Sequence, residues 1–272
     1  GALYGITSVL IKIFKNNPPQ YAAAAFDRPE PTFRKQEYKE YKATRQPTPD
    51  DLKIQIREAR ELLEKFGIKT FEKPGYEADD LIVTLSHKFS EKLDLIEILS
   101  GDLDLLQAVR ERKVVAEIPK QGISETKTYD KDAVKERFGV YPEQLTDYKG
   151  LVGDSSDNFP GVKGIGPKTA SNLIQKYGDL DKIYESIEEI EKDKSVVATK
   201  LKENKENAYL SKRLALLMTD VPIETNLEEL KIDSPFDKAE LIEHMEALGF
   251  KTLLNRMVEK EEEPPSSVGK LF

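Results

Sequence analysis

Eight carboxylates stand in four groups along this 272-residue chain: Asp27, Glu77-Ala-Asp79-Asp80, Asp102-Leu-Asp104, and Asp154-Ser-Ser-Asp157. Gathered at one place without cations they would repel strongly, and hard divalent ions relieve that repulsion. An all-oxygen donor set suits magnesium or manganese. Asp154 and Asp157 are spaced i, i+3, so in a helical turn both can face one point. The plain alternative is that Gly-Asp-x-Asp pairs cap helices or close turns. Four such groups, three of them at strand ends, favour the metal reading over four unrelated caps.

Two further constellations suit phosphate. Gly161-Val-Lys163-Gly164-Ile-Gly166-Pro-Lys168-Thr169-Ala170 places glycines just before a helix whose apolar face is Ala170, Leu173, Ile174 and Tyr177. Exposed backbone N–H groups and the helix dipole make such a turn an anion site, with Lys163, Lys168 and Lys176 adding charge. Neither Gly-x-Gly-x-x-Gly nor a Walker Gly-Lys-Ser/Thr is present, which disfavours a nucleotide cofactor. Thr32-Phe33-Arg34 with Tyr38, Tyr41, Lys42 and Arg45 interleaves aromatics and cations at three- and four-residue spacing. That pattern suits stacking on bases and holding phosphates, with a solvated helix face of snorkelling lysines as the alternative.

The elements that must position these groups alternate. Leu3, Ile6, Leu10, Ile13 and Phe14 define a helix stopped by Asn16-Asn17-Pro18-Pro19. Tyr21–Phe26 reads as a buried strand ending at Asp27. Thr48-Pro49-Asp50-Asp51 reads as a helix start with a capping hydroxyl, and Leu52, Ile56, Ala59, Leu63 and Phe66 as that helix's apolar face. A strand over Ile68–Phe71 leads through Gly75-Tyr76 to a helix from Glu77 to Phe89, buried through Ala78, Leu81, Leu85 and Phe89. Asp80 points opposite that face. Leu95–Leu99 and Val114–Ile118 are further strands. This order predicts an α/β domain around a mostly parallel sheet, with ligands at the carboxyl ends of its strands. Beyond about Thr128 strands disappear and helices run to Met257. Glu259–Ser267 reads as a linker, and Val268–Phe272 as the entry to a following domain. His87 and His244 read as surface residues; Tyr177, Phe236 and Phe250 read as core.

Composition narrows the classes. Charged residues are 34% and apolar ones 38%, an ordinary globular balance. There is no cysteine, which removes disulfides, thiolate metal sites and cysteine nucleophiles. With two histidines, a multi-histidine metal site is excluded as well. No apolar run approaches the ~20 residues that span a bilayer, and no secretory signal is visible. Net charge is −8, against indiscriminate coating of nucleic acid. Its distribution is uneven: five basic and two acidic residues lie between Phe33 and Arg45, and eight acidic residues and two lysines between Glu77 and Asp104.

In order along the chain, Ala24-Ala-Phe-Asp27, the Phe33–Arg45 strip, Gly75-Tyr-Glu-Ala-Asp-Asp80, Gly101-Asp-Leu-Asp-Leu-Leu-Gln107 and Gly153-Asp-Ser-Ser-Asp-Asn-x-Pro-Gly-Val-x-Gly-Ile-Gly-Pro-Lys-Thr-Ala170 resemble the 5′-nuclease (5′-3′ exonuclease) domains of bacterial DNA polymerase I, within the flap endonuclease superfamily. The resemblance runs to about Met257. It implies a PIN-like α/β core over 1–150 with a helical arch, an all-helical helix–three-turn–helix region over 151–257, and a linker over 258–272. It also implies two-metal hydrolysis of DNA phosphodiester bonds at 5′ ends and 5′ flaps, serving primer or flap removal in replication and repair. Glu77, Asp79, Asp80, Asp102, Asp104, Asp154 and Asp157 would serve the metals, and Asp27 would orient the site. Lys42 and Arg45 match arch residues that grip the scissile phosphate. Arg34, Tyr38, Tyr41, Lys163, Gly164, Gly166, Lys168 and Thr169 would contact DNA, with potassium at the three-turn segment. The partners implied are nicked, 5′-ended or flap DNA and fused polymerase domains, for a monomer in the bacterial cytoplasm and nucleoid. The family opens with a further strand ending in Asp-Gly and a helix carrying a substrate-contacting basic residue; this chain starts inside the next helix and is expected to be a fragment. The alternatives are a flap-binding fragment without catalysis and a phosphatase for small phosphate esters.

Overall fold

The computed structural model describes residues 1–120, 126–233, 236 and 238–258. In chain order its elements begin with α1 (Ala2–Asn16), β1 (Ala23–Ala25), α2 (Phe33–Glu37), α3 (Asp50–Phe66), β2 (Lys69–Phe71) and α4 (Ala78–Phe89). Next come β3 (Ile96–Leu99), β4 (Val114–Pro119), β5 (Thr126–Tyr129), α5 (Lys131–Phe138), α6 (Leu145–Val152) and α7 (Pro167–Tyr177). The rest is helical: α8 (Leu180–Glu185), α9 (Ile187–Asp193), α10 (Ser195–Glu203), α11 (Lys205–Ala215), α12 (Ala239–Ala247) and α13 (Lys251–Val258). The mixed α/β reading holds. The linker expected after Val258 and the entry at Val268–Phe272 lie outside the described residues.

Two compact units share the chain. One gathers Gly1–Ala22, Pro49–Lys69 and the described residues of Glu228–Phe272; the other gathers Ala23–Thr48 and Thr70–Leu227. The first is helical. Leu3, Leu10, Ile11 and Phe14 of α1 are buried, as are Leu62, Leu63 and Phe66 of α3. Phe14 stacks on Phe66 at 5.9 Å between ring centroids, and Phe236 meets both edge-on. Phe250 likewise packs edge-on against Tyr4. Gly67 ends α3 at φ 86°, in the left-handed region that glycine reaches without strain. Two expectations for α3 fail: Pro49 is its N-cap with no side-chain cap, so Thr48 does not supply the hydroxyl, and Ile56 is exposed.

The second unit carries the strands, save Lys69 at the start of β2, and every candidate site residue. β3 pairs in parallel with β4, and β4 antiparallel with β5; β1 and β2 form a separate two-stranded sheet. The central strand β4 is buried at Val114, Val115, Ala116 and Ile118, so its sequence is apolar except at the half-buried Glu117. β5 was not expected. Three of its four residues are exposed, leaving only Tyr129 buried and no apolar alternation to announce it. Ile98, Val114, Ala116 and Ile118 join Leu105 and Leu106, Leu145 and Leu151 of α6, and Ile174 of α7 in one core. Gly150 lets α6 and α11 approach closely: a Cβ there would stand 3.0 Å from the Ala208 carbonyl oxygen. Among the described residues, no helix is long and apolar enough to cross a membrane.

Candidate metal and nucleic-acid site

The start of α4 organises the acidic groups. Glu77 is its N-cap, and the backbone N–H of Glu77 donates to Asp80 Oδ2 at 3.0 Å in a capping box. Asp27, just past β1, accepts from the N–H of Ala78 at 2.7 Å and so tethers the same terminus. Asp79 is half-buried. Burial, followed by the charges of Asp102 and Asp27, raises its carboxyl to about 7. Asp102 caps a short 3-10 turn over Leu103–Ala108, accepting from the N–H of Asp104 at 2.9 Å. This is the helix-capping role weighed above; it occupies one oxygen, Oδ1.

Asp80 departs from the sequence reading. Its side chain is fully buried instead of pointing away from the apolar face. Val83 and Thr84, on that supposedly open side, are buried too, and Thr84 exchanges hydrogen bonds with Met218 and Val221. The segment running past Met218 therefore covers α4 from a second direction. Asp80 accepts from Arg34 Nη1 and Nη2 at 2.8 Å each, from Glu77 N–H, and from Met218 N–H at 2.9 Å. Arg34 departs with it. At 1% exposure it is a core residue, donating also to the carbonyls of Leu214 (2.8 Å) and Leu216 (2.7 Å). In this arrangement neither Arg34 nor Asp80 faces solvent, and the expected contacts with DNA and metal are not open to them.

The basic strip lies across the acidic loop after α6. Tyr41 is buried, stacks on Phe159 at 5.6 Å, and donates its hydroxyl to Glu77 Oε2 at 2.7 Å. Burial and then the Glu77 charge push that phenol well above its ordinary range. Lys42, at φ 52°, donates its N–H to the Asp157 carbonyl at 3.1 Å and pairs through Nζ with Glu77 Oε1 at 3.0 Å. Arg45 pairs with Asp157 at 2.5 Å, and Asn158 Nδ2 donates to the Glu40 carbonyl at 2.8 Å. Tyr38, half-buried, packs beside Tyr41.

Sequence reasoning passed over Lys149. It lies on α6 five residues before Asp154, inside an otherwise apolar turn of helix, and that isolation was the available signal. Its ammonium pairs with Asp104 and with Asp154 Oδ2, the latter at 2.5 Å. Burial opposes ionisation of Lys149, but these two carboxylates outweigh it and raise its pKa. Asp154 also accepts from the Ser156 N–H and hydroxyl; against the cost of its burial, Lys149 and Ser156 lower it to about 2. Asp104 stays raised, because burial outweighs Lys149. Asp102, Asp104, Lys149 and Asp154 line one cavity of about 710 Å³.

The three-turn segment forms between α6 and α7. Gly153 (φ 76°) and Gly161 (φ 58°) touch back to back, so that a Cβ on Gly161 would fall 2.3 Å from the Gly153 nitrogen. Pro167 opens α7 with Gly166 as N-cap. Lys163, Gly164, Gly166 and Lys168 are exposed and Thr169 half-buried. Lys200 donates to the Gly164 carbonyl at 2.9 Å.

A divalent ion fits the donor chemistry: all-carboxylate oxygens, with an acid at Asp79 already burdened by its neighbours' charge. Among the described residues no three carboxylates are gathered tightly enough to hold an ion as they stand. Lys42, Arg45 and Lys149 instead pair with them singly or in twos.

Comparison with known proteins places the chain in a family. A family model described as 5′-3′ exonuclease, N-terminal resolvase-like domain, matches residues 1–139, and one described as 5′-3′ exonuclease, C-terminal SAM fold, matches 140–238. A curated 5′-3′ exonuclease from Aquifex aeolicus is 39% identical over 256 residues, 94% of this chain and 84% of the relative. DNA polymerase I of Bacillus subtilis is 41% identical over 262 residues, 96% of this chain but 29% of the relative. The chain thus spans under a third of the length of the DNA polymerase I proteins it matches. A solved structure of T5 5′-exonuclease with divalent metal ions (zinc) bound shares the fold at a TM-score of 0.68 and 21% identity, covering 94% of this chain and 91% of that one. With both of its parts matched in order, and a relative matched along most of its length, the chain belongs to the 5′-3′ exonuclease family.

Proposed function

We propose that the chain is a divalent-metal-dependent 5′ nuclease that hydrolyses DNA phosphodiester bonds at 5′ ends and 5′ flaps, working as the nuclease part of a DNA polymerase I. The observation that carries this reading is the concentration of negative charge around Asp79, whose carboxyl is raised to about 7 by burial and by Asp102, Asp27 and Asp104. The family of the chain and the metal-bound T5 5′-exonuclease of the same fold support it.

Glu77, Asp79, Asp102, Asp104, Asp154 and Asp157 would hold the ions, with Asp27 fixing the α4 terminus beneath them. Asp80 serves in this reading through Arg34, which it anchors. When bound, magnesium or manganese supplies an activated water and charge stabilisation at the leaving oxygen. Lys42 and Arg45 turn from Glu77 and Asp157 to the scissile phosphate, the half-buried Tyr38 offers a face to bases, and Tyr41, buried against Phe159, serves through its hydroxyl on Glu77. Lys163, Gly164, Gly166, Lys168 and Thr169 hold duplex backbone at the α7 terminus, with potassium among the carbonyls there. The nuclease core is assigned to 1–150, the DNA-binding region to 151–257, and the setting to a monomer in the bacterial cytoplasm and nucleoid.

Asp102→Ala tests the assignment. It is expected to abolish cleavage of a labelled 5′-flap duplex and to leave binding within about threefold, a loss too small for a main phosphate contact. A large loss of binding instead would sink the metal role. A second reading, binding without catalysis, draws on the absence of a closed three-carboxylate set among the described residues; it predicts salt-sensitive binding and no turnover at any magnesium concentration.

A further inference from the structure

Lys149 is held between two acidic groups from different parts of the chain: Asp104 on the 3-10 turn after β3, and Asp154 just beyond α6. All three side chains are at most 17% exposed and line the same cavity. A lysine stem has freedom enough to leave such a position, and its ammonium is a point charge without the fixed fork of an arginine. Two largely buried carboxylates without a cation would be strongly destabilised. Lys149 therefore supplies, in the metal-free protein, the positive charge that holds Asp104 and Asp154 together.

We infer that Lys149 is a built-in competitor for the divalent metal: its ammonium occupies the place between Asp104 and Asp154 and must swing out when an ion enters. This rests on the nuclease reading above. Lys149 is accordingly a positioning residue. It keeps the two carboxylates convergent while no ion is present, and it lowers the site's affinity for the ion, because entry breaks two charge-assisted hydrogen bonds. The displaced ammonium then borders a cavity into which a phosphate-bearing strand would come.

The test uses calcium as probe, in the full chain. Lys149→Met is expected to lower metal-free thermal stability and to tighten calcium binding by about tenfold, measured by calorimetry; ligand linkage then makes the calcium-induced rise in Tm larger than in the wild type. Lys149→Arg, which keeps the charge, is expected to retain the weaker affinity. Should Lys149→Met not fold, the wild type itself gives the answer through acylation of its lysines read by mass spectrometry: Lys149 is shielded in EDTA and reacts severalfold faster in calcium. Calcium affinity unchanged or weakened in Lys149→Met overturns the inference, as does acylation of Lys149 indifferent to calcium. A wild type that binds no calcium at all sinks the nuclease reading along with it, and that result is told apart because it appears without any substitution.

Discussion

Among the described residues Asp80 is the most enclosed acid, and the consequence of removing its charge in Asp80→Asn can be worked from the contacts. The Asp80 side chain has no exposed surface and Arg34 retains 1%; two 2.8 Å bonds join them, and Arg34 also holds the Leu214 and Leu216 carbonyls. Neutralising one partner leaves the guanidinium facing two carbonyls, the Phe33 ring and an amide oxygen, with Glu77 at 3.4 Å the nearest carboxylate. Breaking a buried pair in this way costs about 3–5 kcal/mol. For a unit of this size that corresponds to roughly 6–20 °C in Tm. The assay is thermal unfolding in EDTA, repeated in calcium. The drop should be similar in both, since Asp80 is assigned to the frame and not to the metal. Arg34→Met should lose a comparable amount, and the double variant less than the sum, because the second change removes the uncompensated charge. The reasoning is refuted if Asp80→Asn unfolds within ~2 °C of the wild type, well below the range a buried pair implies, while calcium affinity collapses. That pattern belongs to an exposed ligand.

Three further outcomes follow from the same contacts. Asp79 keeps its proton in the folded state up to about 7 against an ordinary 3.8, so metal-free stability falls as pH rises through that window and the loss is complete above it; Asp79→Asn flattens the slope in pH-dependent melts. Lys42→Ala slows flap cleavage by at least about tenfold, a change in transition-state stabilisation, while duplex affinity measured by fluorescence anisotropy stays within a few-fold; equal losses would make Lys42 an ordinary phosphate contact. Gly161→Ala forces a side chain into a left-handed position and against the Gly153 backbone, costing about 1–3 kcal/mol in urea unfolding and weakening duplex binding alongside.

The order of strands and helices was legible because burial on one face writes a period into the sequence. The Leu81, Leu85, Phe89 stripe of α4 is an example. Glu77 was legible as a helix start for local reasons, since capping involves neighbours two or three residues away; the cap at Asp102 is the plain alternative for its Gly-Asp-x-Asp pair. Two misreadings share one cause. Asp80 sits on a face that the helical wheel leaves open and that a segment 138 residues further along closes. Arg34 looked like part of a basic strip because nothing nearby in sequence reveals a carboxylate 46 positions away. A single lysine in a short helix reads as solvated, and nothing near Lys149 in sequence reveals that Asp104 and Asp154 enclose it. β5 was hidden for the opposite reason: with most of its side chains exposed, it carries the pattern of a loop. Periodicity reports one neighbour at a time; a side chain enclosed from two directions needs the fold.

The most direct test of the nuclease account is to incubate this chain with a labelled 5′-flap duplex in magnesium and, in parallel, in EDTA. Cleavage near the flap junction in magnesium alone, lost in Asp102→Ala, is the result the account predicts. Flap binding with no product at any magnesium concentration, or product formation that persists in EDTA, would contradict it.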